Sequence, residues 1–116
     1  MAFSKPEFEF FDPEQEIGWK PVPGYPDGIY ERVLSMDEES GDHTRLLYFK
    51  PGVETSDRLL HEFWEEVYIV KGGLIDKTLG KTFTEGMYAC RPPGMLHGPY
   101  SVPVGCVTFE IRYFKK

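Results

Sequence analysis

The chain contains three histidines, His43, His61 and His97. His61 is followed at +4 by Glu65 in the run Leu60-His61-Glu62-Phe63-Trp64-Glu65-Glu66-Val67, and His97 follows Pro92-Pro93-Gly94-Met95-Leu96, just after a turn signal. Imidazole nitrogens and a carboxylate oxygen bind divalent first-row metals at ~2.0–2.2 Å. Two imidazoles and one carboxylate leave coordination positions open for water, substrate or dioxygen, which suits oxygenation or Lewis-acid catalysis. His43 lies beside the polar loop 37–42 and reads as a solvated turn residue.

Distance constrains how these groups can meet. On a straight strand rising ~3.3 Å per residue, positions 61 and 65 lie ~13 Å apart and cannot share an ion. Either the segment is helical, which brings i and i+4 together, or the chain reverses at Glu62-Phe63-Trp64. Leu59, Leu60, Phe63, Trp64, Val67 and Tyr68 follow helical spacing, so periodicity alone predicts a short amphipathic helix over 57–68. Glu62, Glu65 and Glu66 form an acidic run, which by composition is a solvated face.

The flanking elements have the rhythm of strands. Ile29–Leu34 and Thr44–Lys50 flank the loop Asp37-Glu38-Glu39-Ser40-Gly41-Asp42 and predict a hairpin. Val67–Val70, Leu74–Thr78, Thr82–Thr84, Met87–Arg91 and a long strand from Val104 to about Tyr113 follow, each bounded by Gly or Pro turn signals. Lys71-Gly72-Gly73 reads as one of those turns. Short strands at this spacing predict an all-β sandwich or barrel. Residues 1–28 form a proline-rich, irregular lead-in whose run Glu7–Phe11 could pair as an edge strand. No internal repeat or low-complexity tract is present.

The spacing of these residues resembles the cupin superfamily, in the form of a small single-domain, metal-binding cupin. The first cupin motif is matched by Gly52, His61, Glu65 and Gly72, with His61-x3-Glu65 and Glu65-x6-Gly72 in register. The second is matched by Gly86-x5-Pro92-x-Gly94-x2-His97, with Ser101 where the family has Asn. The motifs cover residues 52–101. This chain departs from the pattern at Leu59, where the family carries its first histidine, and by one extra residue after Gly52. The resemblance implies an all-β double-stranded β-helix, or jelly-roll barrel, over 29–116, with the lead-in 1–28 outside it as a possible exchanged edge strand. It favours reversal at 62–64 over the helix, with His61 and Glu65 on neighbouring antiparallel strands. It implies His61, Glu65 and His97 as ligands of a divalent metal ion, Fe2+ first, with Zn2+, Mn2+ or Ni2+ as alternatives, and it implies a homodimer.

Further polar candidates come from the strands. Cys106, Thr108, Glu110 and Arg112 alternate with Val107, Phe109, Ile111 and Tyr113, so one face of the last strand carries charge. Arg45, Arg91 and Glu110 are candidates for a polar pocket, because a buried charge needs a partner. Tyr100, three residues past His97, is the aromatic best placed to join it. Phe63, Trp64, Tyr68 and Tyr88 read more simply as core or dimer contacts. Cys90 and Cys106 read as buried packing residues. Gly72, Gly86 and Gly94 read as positive-φ positions and Pro92 as a turn former.

Composition sets the outer bounds. The 116 residues suffice for one domain. Thirteen Lys+Arg against nineteen Asp+Glu give a net charge of −6, which speaks against a nucleic-acid surface or docking on an anionic membrane. Two cysteines make no disulfide framework. The start has no signal-peptide pattern and no apolar run reaches ~18 residues, so the expected setting is cytoplasmic. The expected function is a metal-dependent site for a small oxygenated organic molecule, first a non-haem iron dioxygenase acting on a diketone or hydroxylated ketone. A Lewis-acid isomerase, lyase or hydrolase, a non-catalytic metabolite- or metal-binding protein, and a metal-free form that has lost ligation are the alternatives.

Overall fold

The structure, a computed structural model, describes residues 5–114. One short helix, α1 (Pro13–Glu16), precedes nine strands: β1 (Lys20–Pro21), β2 (Ile29–Met36), β3 (His43–Phe49), β4 (Val53–Glu54), β5 (Trp64–Asp76), β6 (Lys81–Thr84), β7 (Tyr88–Arg91), β8 (Tyr100–Val102) and β9 (Cys106–Tyr113). Asp12 caps α1 by accepting from the Glu14 N–H, with Pro13 at the first helical position.

All strand pairs are antiparallel, in the order β1-β2-β3-β9-β5-β8-β4, with β6 and β7 also on β5. The expected hairpin is β2–β3. The first half of β5 pairs with β7 and β9 in one sheet, and its second half pairs with β6 and β8 in the other. One long strand thus carries the chain between both layers and curls them into a jelly roll. Ile29, Leu47, Phe49, Val53, Ile69, Leu74, Val102 and Cys106 pack between the layers, with Tyr100 among them.

Residues 67–78 do not form two strands with a turn at Lys71-Gly72-Gly73, as the glycine pair suggests. Residues 67–76 belong to continuous β5, whose register slips between Ile69 and Lys71 as it leaves one sheet for the other, and 77–78 begin the turn after it. Gly72 has φ +77°, and a Cβ there would lie 2.2 Å from the Gly105 carbonyl oxygen. Its freedom produces a bend and a close backbone approach instead of a reversal.

The periodicity-based helix over 57–68 is also absent. Residues 62 and 63 bend and β5 begins at Trp64, so tertiary pairing overrides the local pattern. Reversal at 62–64 is the better description, but His61 lies in irregular chain before β5 and not on a neighbouring strand. Glu7–Phe11 forms no strand within this chain; the edge beside β2 is taken by β1, with Lys20 opposite Glu31. Residues 1–4 of the lead-in and 115–116 of the barrel span lie outside the described residues. Among the described residues, no helix is long and apolar enough to cross a membrane.

Candidate metal centre

Two backbone ties bring the histidines together. Leu59 and His97 exchange both N–H···O bonds, at 2.7 and 3.0 Å, and the Gly94 N–H donates to the His61 carbonyl at 2.9 Å. Segment 59–61 therefore runs antiparallel beside 94–97, and both imidazoles enter the barrel from one end. Their Nε2 atoms lie 3.2 Å apart. Glu65, inward-facing at the start of β5, places Oε1 3.9 Å from His61 Nε2.

The three donor atoms all lie within 4.8 Å of one another. Two nitrogens each ~2.1 Å from one ion are ~3.0–3.4 Å apart at octahedral-to-tetrahedral angles, so the observed separation suits a shared divalent metal. Protonation agrees with this. His97 is 8% exposed, and burial, followed by the charge of Arg91, pushes its pKa down to about 4. Burial also lowers that of His61, against the pull of Glu65. Both rings are held neutral, the form that ligates.

The carboxylate is fixed by its cross-strand neighbours. Glu65 stands opposite Arg91 of β7 on one side and Arg112 of β9 on the other. Arg91 Nη1 donates to Oε1 at 2.8 Å, and Arg112 Nε donates to Oε2 at 2.7 Å. Burial alone would raise its pKa, but Arg112 and then Arg91 outweigh that and hold it at about 2. A carboxylate offers roughly four lone-pair sites, so two arginines orient Glu65 without exhausting it.

The pattern continues along the strands. Arg45 faces Glu110 across β3 and β9, donating from Nε at 3.0 Å, and reaches Glu31 at 2.7 Å. Thr108 donates to the other Glu110 oxygen at 3.0 Å. Tyr100 joins Arg91 of β7 to the His97 ring. Its hydroxyl accepts from Arg91 Nη2 at 2.9 Å and is 2.8 Å from His97 Nδ1, which fixes the ring as outer partners of metal-bound histidines do. Burial raises the phenol to about 12. On the outer side of His61, the Phe63 ring stacks at 4.6 Å and 13°.

Arg45, Arg91, Tyr100 and Glu110 thus all reach the interior network around His61, Glu65 and His97. Arg112 and Phe63 complete it, although sequence reasoning assigned neither to the site. Alternation with Glu110 was the signal for Arg112; Phe63 carried none beyond its place beside the bend. The inward face of β9 is Cys106, Thr108, Glu110 and Arg112, of which the last three line the pocket.

Several outward positions differ from expectation. Cys106 is buried, but Cys90 is exposed, because Ala89 and Arg91 take the inward positions of β7. Tyr68 and Tyr88 are also exposed. Trp64 stacks on Tyr113 across the outer side of the sheet. Glu66 faces the same side and accepts from Tyr88 and Tyr113, while Glu62 is exposed. His43 stays apart from the metal group, half-buried at the start of β3, with Nδ1 2.8 Å from the Gly41 carbonyl. Leu59, where the cupin pattern has a histidine, lines the chamber that holds His61, Glu65 and His97.

Comparison with known proteins places this geometry among relatives. The family described as the ChrR cupin-like domain matches residues 10–112. No curated protein matches the chain in sequence. Among solved structures, an RmlC-like cupin from Ralstonia eutropha JMP134 superposes with a TM-score of 0.72 at 22% identity, over 87% of this chain and 66% of that one. An RmlC-like cupin from Shewanella frigidimarina gives 0.74 at 18% identity, over 97% and 96%. An acetylacetone dioxygenase from Acinetobacter johnsonii gives 0.71 at 18% identity, over 94% and 74%. At such identities the likeness is one of fold.

Proposed function

The chain belongs to the ChrR cupin-like domain family, and on that basis we propose that it is a metal-dependent cupin acting on a small oxygenated organic molecule, in the first place as a non-haem iron dioxygenase. The observation that carries this reading is the convergence of His61 Nε2 and His97 Nε2, 3.2 Å apart, on the arginine-held carboxylate of Glu65. Two histidines and one carboxylate are the donor set of non-haem Fe(II) oxygenases with open positions. The fold shared with an acetylacetone dioxygenase supports the same direction.

In this reading His61, Glu65 and His97 hold the ion. Iron(II), when bound, would supply redox chemistry and open coordination positions. Arg91 and Arg112 keep Glu65 ionised and aimed, and Tyr100 fixes the His97 ring. The buried surroundings keep bulk water from the reacting groups. A cytoplasmic setting, with Cys90 and Cys106 as free thiols, and a homodimer are part of the proposal. The outward-facing Phe8 and Phe10 of the lead-in support pairing, and light scattering of the intact chain tests it.

The deciding experiment is elemental analysis of wild type beside His61→Ala and His97→Ala, coupled to O2 uptake with acetylacetone and hydroxylated ketones. Bound iron in wild type only, with substrate-dependent uptake, is expected. Bound zinc with anaerobic turnover would replace the dioxygenase by a Lewis-acid isomerase, lyase or hydrolase, and tight binding without turnover would leave a binding protein. Equal metal content in the three proteins would end the ligand assignment.

A further inference from the structure

The barrel interior is two chambers. One, of about 150 Å³, holds the His61–Glu65–His97 group and is bounded at its rim by Gly24, Tyr25, Pro26, Ser56 and Asp57. The other, of about 350 Å³, lies toward β6, β7 and the 94–98 loop and is lined chiefly by Ile69, Leu74, Leu79, Phe83, Met87 and Met95. Six side chains belong to both: Val67, Leu74, Arg91, His97, Tyr100 and Thr108. The metal chamber and the apolar chamber therefore share a wall whose polar members are the Arg91–Tyr100–His97 chain and Thr108.

We propose that the larger chamber takes the apolar body of an amphiphilic substrate whose single oxyanion head, a carboxylate or enolate, pairs with Arg91 at the shared wall. This names the substrate class for the site proposed above and rests on that reading.

Size and surface support the body. The volume lies within the ~300–1,000 Å³ range of small-molecule sites. The mouth is rimmed by large apolar side chains left open to solvent, Leu79 at 60%, Met87 at 45%, Met95 at 44% and Leu96 at 52% exposure. Methionine side chains adapt to varied apolar shapes.

Charge supports the head. Arg91 carries five N–H donors, of which Nη1 serves Glu65 and Nη2 serves Tyr100. It keeps donors for a ligand. Arg58 is exposed at the same chamber, while the Asp76 carboxylate there is occupied by the backbone N–H groups of Thr78 and Leu79. Deeper in, Arg45, Arg91 and Arg112 are matched by Glu31, Glu65 and Glu110. A divalent ion on His61, Glu65 and His97 adds uncompensated positive charge, which a buried site must neutralise. An anionic oxygen at the wall does that.

The test is calorimetric titration of metal-analysed protein with octanoate, octan-1-ol and acetate, on wild type, Ala89→Phe and Met95→Asp. Ala89 lines the larger chamber and not the smaller one, so phenylalanine there fills the larger chamber. Octanoate should bind at least tenfold more tightly than acetate or octan-1-ol. Ala89→Phe should lose at least tenfold of that affinity with wild-type metal content. Met95→Asp, at the exposed rim, should weaken octanoate binding with folding intact, which keeps the test alive if Ala89→Phe does not fold. Equal affinity for octanoate and acetate, or for octanoate and octan-1-ol, would overturn the assignment, as would octanoate affinity unchanged in both variants. Selective octanoate binding by wild type without metal would uphold the chamber and sink the metal centre; bound metal with no selectivity would do the reverse.

Discussion

Arg112 and Glu65 are direct cross-strand partners on β9 and β5, and the Arg112 Nε–H donates to Glu65 Oε2 at 2.7 Å. Glu65 is 1% exposed and also holds Arg91. Breaking a buried pair leaves a charge without compensation, at ~3–5 kcal/mol. Glu65→Gln should therefore lower urea-unfolding stability by ~3 kcal/mol or more even in metal-free protein, whereas exposed Glu62→Gln should stay within ~0.5 kcal/mol. Equal stabilities would show that the arginines do not depend on Glu65.

Tyr100→Phe removes one hydroxyl that meets both His97 Nδ1 and Arg91. Loss of such an outer partner costs ~10–100-fold in metal affinity. Competition against a metal-sensitive dye should register that drop with both histidines in place. An unchanged affinity would mean that the phenol does not orient the ring.

Acid should destabilise metal-stripped protein in two successive windows. Burial lowers the pKa values of His43, His61 and His97, the last to about 4 from 6.5. The fold thus favours neutral rings, and their contribution is complete above ~6.5 and lost as pH falls toward 4. At ~1.4 kcal/mol per pKa unit, His97 alone accounts for up to ~3 kcal/mol. Glu65, held at about 2 against an ordinary 4.5, adds stability above ~4.5 that disappears on further acidification. Urea midpoints from pH 7.5 to 2 should fall steadily, the first part less steeply in His97→Gln. A flat profile contradicts buried neutral histidines.

Gly72 and Gly80 both have positive φ, but only Gly72 faces backbone: a methyl group added there would meet the Gly105 carbonyl oxygen at 2.2 Å, whereas one at Gly80 would meet nothing within 4 Å. Gly80→Ala should cost ~1–2 kcal/mol, the left-handed penalty alone. Gly72→Ala should cost clearly more, because two strands must separate as well. Thermal melts compare them directly, and equal costs would exclude the close approach as the reason for glycine.

The all-β class was legible in residue order, and the resemblance to the cupin motifs implied the jelly roll and the three ligand candidates. Short β-rich runs between Gly and Pro signals point to a sandwich or barrel, and the match to the cupin motifs singles out Glu65 and His97, which composition alone would leave in an acidic run and a loop. Local pattern failed at two places for one reason. The Leu59–Tyr68 stretch has helical spacing, and Gly72–Gly73 has turn chemistry, yet both yield to strand pairing that residues far along the chain provide. Which side of each strand faces inward was settled by the assembled barrel, with Arg91 in and Cys90 out, and Arg112 in beside Glu110. Parity in a strand depends on register with its neighbours, and a one-residue slip exchanges the two faces. The shared wall between the chambers arises the same way, since Arg91, His97 and Tyr100 meet through three separate elements.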